Sequence, residues 1–195
     1  MRFCQAKALV ESLNFDPTFG SLDEARRRRV IGRLLDTVRG RILEEIVLHE
    51  TKDASMGRYS VYDVRFDRGE VDMLVYDSEG GFCIICEIKH STSRTPHQRR
   101  HLVDPEKRRL IERFVAPIAG SIVLYRGEDA EEDGVRYMNV ESYLKGLPDS
   151  VGVLFPGGLD PGKGATDNCR PDAFGGRRFR GSVRISPVIC PYYKD

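Results

Sequence analysis

Long apolar runs are missing from this sequence. Nowhere do apolar residues continue for the ~20 positions that a bilayer-spanning helix needs, so no membrane partner is expected. The first residues, Met1-Arg2-Phe3-Cys4-Gln5, lack the apolar stretch of a secretory signal, and the expected compartment is the cytosol. Charge of one sign is also missing. The chain has 31 Lys and Arg against 30 Asp and Glu, for a net charge of +1. Net charge therefore gives no reason to expect nucleic acid, and any basic binding surface must be local. There is no disulfide framework either, since the five cysteines are odd in number and irregularly spaced. Cys83 and Cys86 do form a C-x-x-C, but it lies in the apolar run Phe82-Cys83-Ile84-Ile85-Cys86. On a strand, positions three apart point to opposite faces, so the two thiols cannot share one metal and are expected as reduced core cysteines.

What is present fits one globular domain with a tail. The 195 residues are 40% hydrophobic and 31% charged, ordinary for a folded domain. Residues 1–20 form an N-terminal segment with no clear pattern. Ser21-Leu22-Asp23-Glu24 has the form of a capping box. Ile31, Leu34, Leu35, Val38, Ile42 and Ile46 then recur at helical spacing, which predicts a helix to about His49, with a break or a close approach at Gly40. Strands are expected at Tyr59–Phe66, Glu70–Tyr76 and Phe82–Lys89, the last two joined by the turn Asp77-Ser78-Glu79-Gly80-Gly81. The third is apolar on both faces, which marks a central strand. Residues 91–101 read as a polar loop. Asp104-Pro105 opens a helix with an N-cap and a first-turn proline. Strands at Ser121–Tyr125 and Val135–Val140 flank an acidic turn, and a short helix covers Glu141–Leu147. The domain spans 21–149. Residues 150–195 are rich in Gly and Pro and are expected to be poorly ordered.

The fold class is α/β, with a central mixed sheet of about four to five strands flanked by helices. Its chemistry gathers at the end of the third strand. Glu87 and Lys89 are two apart and share a face, and Asp72 stands on the strand before. Converging carboxylates suit Mg²⁺, which stabilises charge on a phosphoryl oxygen and acidifies water. Lys89 would orient or activate that water. Glu44 on the first helix is a candidate third carboxylate, with Glu45 as its rival. The same residues also fit a plain strand-end ion pair beside ordinary hairpin polarity.

Taken together, Gly40-Arg41-Ile42-Leu43-Glu44, Gly69-Glu70-Val71-Asp72 and Glu87-Ile88-Lys89-His90-Ser91 resemble the PD-(D/E)XK, or restriction-endonuclease-like, superfamily. More closely they resemble the nuclease-like domain C-terminal to bacterial and archaeal AAA-type ATPases. Ile122-Val123-Leu124-Tyr125-Arg126-Gly127 and Asn139-Val140-Glu141-Ser142-Tyr143-Leu144 extend the likeness over residues 30–147. The resemblance implies a restriction-endonuclease-like core. It also implies a catalytic set of Glu44, Asp72, Glu87 and Lys89, with Asp72, Glu87 and Glu44 on Mg²⁺ or Mn²⁺ and a DNA or RNA substrate. The alternative it leaves open is a non-catalytic nucleic-acid or protein binding module on the same fold, accessory to an ATPase in trans or truncated from one. No ATP site is expected in this chain. The nearest match to a P-loop, Gly157 to Gly164, ends in Gly164 where a hydroxyl residue must hold Mg²⁺.

Basic residues cluster beside the candidate site. Arg94, Arg99 and Arg100, followed by Lys107, Arg108 and Arg109, are candidates for contacts to a phosphate backbone. The run Arg26–Arg29 reads more readily as a solvated helix face. His97 and His101 have the spacing of a helical zinc pair but carry Gln98 where H-E-x-x-H has its glutamate, so surface histidines are expected. His90 is a candidate for either substrate contact or a structural role.

Overall fold

The computed structural model describes residue 8 and residues 11–55, 59–67, 69–147 and 183–187, the last segment by its backbone alone. The chain divides into two units, 1–46 and 47–195.

In the first unit Asp16 caps a single turn, α1 (Pro17–Gly20), by accepting the backbone N–H groups of Thr18 and Phe19. The long helix α2 (Glu24–Ala54) follows. Its start differs from the capping-box reading. Asp23 accepts the Arg26 N–H, while Ser21 Oγ donates back to the Thr18 carbonyl and closes the preceding turn. The helix runs unbroken through Gly32 and Gly40 to Ala54. A Cβ at Gly40 would meet nothing within 4 Å among the described residues, so the expected close approach there is absent. The arginine run is solvated and locally satisfied: Arg26 pairs with Asp23, Arg28 with Glu24, and Arg27 donates to the carbonyls of Leu22 and Gly20.

The second unit takes in the last turns of α2, from Val47, and a mixed sheet. Its strands are β1 (Tyr59–Phe66), β2 (Glu70–Asp77), β3 (Phe82–Ile88), β4 (Ile118–Tyr125), β5 (Ala130–Glu132), β6 (Val135–Asn139) and β7 (Val183–Pro187). The spatial order is β5-β6-β4-β3-β2-β1-β7. The first three strands form an antiparallel meander, and β3-β4 and β4-β6 pair in parallel. The parallel β3-β4 pair requires a crossover, supplied by a 3₁₀ turn at Pro96–Arg99, α3 (Arg100–Val103) and α4 (Pro105–Phe114). Asp104 caps α4 through the N–H groups of Glu106 and Lys107, as its sequence predicts. The short helix α5 (Val140–Lys145) closes the segment, capped by Asn139.

Two strands exceed the five expected. β5 lies inside the acidic turn, where Glu131 and Glu132 hide it from any hydrophobic pattern, and it pairs antiparallel with β6. β7 comes from the Gly/Pro-rich tail and pairs antiparallel with β1. The rest of that tail, including the glycine-rich segment at 157–164, lies outside the described residues.

The core packs on the sheet face that carries Leu74 and Tyr76 of β2, Cys83 and Ile85 of β3, and Val123 and Tyr125 of β4. Leu102 of α3 and Ile111 of α4 cover it. Full burial of an aliphatic side chain such as Ile85 stabilises by about 1.5–3 kcal/mol. Both cysteines of the C-x-x-C are buried thiols, and burial pushes the Cys83 thiol up to about 12. Among the described residues no helix is long and apolar enough to cross a membrane.

Candidate metal and phosphate site

The hairpin register decides which side chains meet. Met73 of β2 stands opposite Cys86 of β3, so one step further Asp72 faces Glu87. Directly opposed residues share a face, here the face of the packed core. Asp72 is thus held at the end of the core. Its Oδ2 accepts the Ile88 backbone N–H at 2.8 Å and the Lys89 ammonium at 2.8 Å. Lys89 Nζ also lies 2.5 Å from Glu87 Oε2. The backbone at Lys89 is fixed from the other side by its N–H, which donates to the Leu124 carbonyl of β4. Asp72, Glu87 and Lys89 therefore form one cluster, as their spacing implies.

Burial sets the charges of this cluster. The Glu87 side chain is 1% exposed and that of Asp72 is 7% exposed. Desolvation, and then the neighbouring Asp72 carboxylate, push the Glu87 pKa up to about 8, against the pull of Lys89. For Lys89 burial acts to lower the pKa, but Asp72 and Glu87 outweigh it and hold the amine above its ordinary range. Lys89 is accordingly a fixed cation. Glu87 Oε1 is buried and, among the described residues, accepts no hydrogen bond. Such an oxygen carries a desolvation cost of about 1–3 kcal/mol, and it marks a place where a cation could take the position of the proton that Glu87 keeps.

This donor set fits magnesium in one specific sense. Among the described residues, no group of three or more His, Cys, Asp or Glu is arranged to hold a metal ion. An all-protein cage of the zinc or calcium kind is therefore not assembled. Magnesium needs less from the protein: one or two carboxylates, the other positions going to waters and substrate oxygens. Asp72 and the unsatisfied Glu87 oxygen supply that minimum. Glu44 is half-buried on α2 within the first unit, and Glu45 beside it is exposed.

The basic residues divide sharply. Arg99 is engaged by Glu132 at 3.0 Å and Asp133 at 2.8 Å, which fastens the crossover to the β5-β6 turn and diverts this candidate from a substrate. Arg108 donates to the Leu102 carbonyl and to Ser121 Oγ. Arg94, His97 and Arg100 are exposed. Gln98 is buried and ties the loop together through the Thr95 N–H, Ser91 Oγ and the Ser93 carbonyl. His101 is not a metal partner of His97; its Nδ1 lies 2.5 Å from Lys107 Nζ. Lys107, a basic candidate already in the sequence, is the one that the fold buries: it precedes Ile111 by four on the apolar face of α4.

Comparison with family models, with curated proteins and with solved structures finds no match to this chain.

Proposed function

We propose that this protein is a magnesium-dependent phosphodiester hydrolase with a restriction-endonuclease-like core of the PD-(D/E)XK type, acting on DNA or RNA. The observation that carries the reading is the buried, unpartnered Glu87 Oε1 beside Asp72 and Lys89 at the end of a central strand. The order of elements supports it too: a helix, a three-stranded meander, a helical crossover and a parallel strand.

In this reading Asp72 and Glu87 hold the cation. Magnesium, when bound, supplies electrostatic stabilisation of negative charge on a phosphoryl oxygen. Lys89 is protonated, so it acts as a donor and counter-charge rather than as a base. An ammonium has three donors. Two go to Asp72 and Glu87, and the third is available for a water or a substrate oxygen. Glu44 rests on its place on the first helix and on the resemblance. An ATPase acting in trans is a compatible partner.

A second reading has its own support. Lys89 already bridges both carboxylates, so the cluster is largely neutralised without a metal. A non-catalytic binding module on the same fold would need no more. Calorimetric titration of Mg²⁺ and Mn²⁺ into the wild type, Asp72→Ala and Glu87→Ala separates the two, with plasmid nicking measured in the same buffers. The nuclease reading expects saturable binding and metal-dependent nicking, both removed by either substitution. A folded wild type that binds neither ion would sink it in favour of the binding module.

A further inference from the structure

A second polar group is carried by the crossover helices α3 and α4. Phe66, Asp67, Arg100, His101, Asp104, Glu106, Lys107 and Leu110 line a cavity of about 470 Å³, within the size range of small-ligand sites. Lys107 is 7% exposed. Its Nζ contacts His101 Nδ1 at 2.5 Å and lies 5.0 Å from the centre of the Phe66 ring. Among the described residues no carboxylate pairs with it. Asp104, the nearest acid in sequence, spends its Oδ1 on the N–H groups of Glu106 and Lys107 as the cap of α4. Asp67 and Glu106 are exposed.

A buried ammonium whose only close partners among the described residues are an imidazole and an aromatic face is expensive, because buried charges ordinarily find a counter-charge. The backbone is shaped around this pair. Gly69 adopts φ +88°, and a Cβ there would stand 2.8 Å from His101 Cε1 and 3.1 Å from Lys107 Nζ. Gly69 opens the strand that carries Asp72, so the cavity and the carboxylate cluster share a framework. Burial lowers the pKa of Lys107, and the charges of Asp104 and, behind it, Glu87 oppose that without offsetting it.

We infer that the Lys107–His101–Arg100 cavity is a phosphate-binding subsite, in which an incoming phosphoryl group supplies the anion that Lys107 lacks. Lys107 is the buried anchor, and Arg100 is the exposed donor at the mouth. That the phosphate belongs to a nucleic-acid strand, one bound alongside the scissile position, rests on the nuclease reading above. A free phosphate would use the same contacts.

Lys107→Met and Arg100→Ala test this on the full chain in EDTA, with two probes: inorganic phosphate, and a fluorescent ten-nucleotide single strand as both DNA and RNA. Thermal unfolding is recorded alongside. The expected result is that the wild type binds phosphate and at least one strand, each competing with the other. Lys107→Met should weaken both by about tenfold or more, the scale of one charge-assisted hydrogen bond, while its Tm equals or exceeds that of the wild type. A merely structural lysine would instead lose stability on substitution. Arg100→Ala, at an exposed position, should weaken both more modestly without moving Tm. Phosphate binding without strand binding would assign the subsite to free phosphate and overturn the strand assignment. Wild-type affinity in Lys107→Met, or a Tm lowered by several degrees, would overturn the subsite itself. Phosphate binding that persists in a protein unable to bind Mg²⁺ would remove the nuclease reading and leave the anion site standing.

Discussion

Lys89 after β3 and Lys107 on α4 are two lysines that the protein treats in opposite ways. Lys89 follows directly on β3 and meets two carboxylates at 2.8 and 2.5 Å. Lys107 is more deeply covered and meets an imidazole and a phenyl ring. Burial acts to lower the pKa of both. At Lys89 the charges of Asp72 and Glu87 reverse its effect; at Lys107 those of Asp104 and Glu87 oppose it without outweighing it, so its pKa stays below the ordinary lysine range. The difference teaches that burial alone does not decide what a lysine does. A paired cation closes a site, and an unpaired one leaves it asking for a ligand.

The strongest way to break this comparison is to remove the cation that is paired. Lys89→Met leaves Asp72 and Glu87 side by side and buried. Breaking a buried pair in this way costs about 3 kcal/mol or more, read at neutral pH as a lowered urea midpoint. Lys107→Met should move stability the other way or not at all. Equal losses at both positions would mean that the two lysines are merely structural.

A smaller effect sharpens the charge state of the cluster. Between the ordinary glutamate value near 4.5 and about 8, folded Glu87 keeps a proton that the unfolded chain has released. The folded state binds the extra proton there, so Glu87's contribution to metal-free stability falls as pH rises through that window and levels off above it. Unfolding of the wild type and Glu87→Gln from pH 5 to 9 should show a difference between them that grows toward pH 8. A difference independent of pH would contradict the raised value. Smaller again is the effect of Gly69→Ala. A left-handed backbone costs a non-glycine residue about 1–2 kcal/mol, and the new Cβ also crowds His101 and Lys107. Thermal unfolding should report that loss, with displaced His101 ring resonances by NMR. An unmoved His101 would detach Gly69 from the cavity.

How much of this was legible beforehand varies by element. The bounds of β1 and the N-cap at Asp104 follow from local pattern and chemistry, and the structure carries both. Glu87 and Lys89 share a face by alternation alone, and the Gly80-Gly81 turn joins their strand to that of Asp72. The helix break at Gly40 was misread because a glycine within a long helix costs only about 1 kcal/mol, too little to stop it. β5 and β7 escaped notice for a different reason. β5 is held by backbone pairing to β6 and its acidic residues leave no periodic signature, while the alternation Val183-Arg184-Ile185-Ser186 of β7 is short and stands within a Gly/Pro-rich stretch.

Local pattern carried the long helix, the capped helix at Asp104, five of the strands and one line of chemistry, because a strand's alternation and a helix's caps are local properties of the chain. It placed Asp72, Glu87 and Lys89 at strand positions from which they can meet. Only the tertiary structure decided that Glu87 keeps an unsatisfied oxygen, that Arg99 belongs to Glu132 and Asp133, and that Lys107 faces His101 rather than an acid. Those outcomes depend on contacts between residues far apart in the chain and on how little water reaches them, and neither is written in any local pattern.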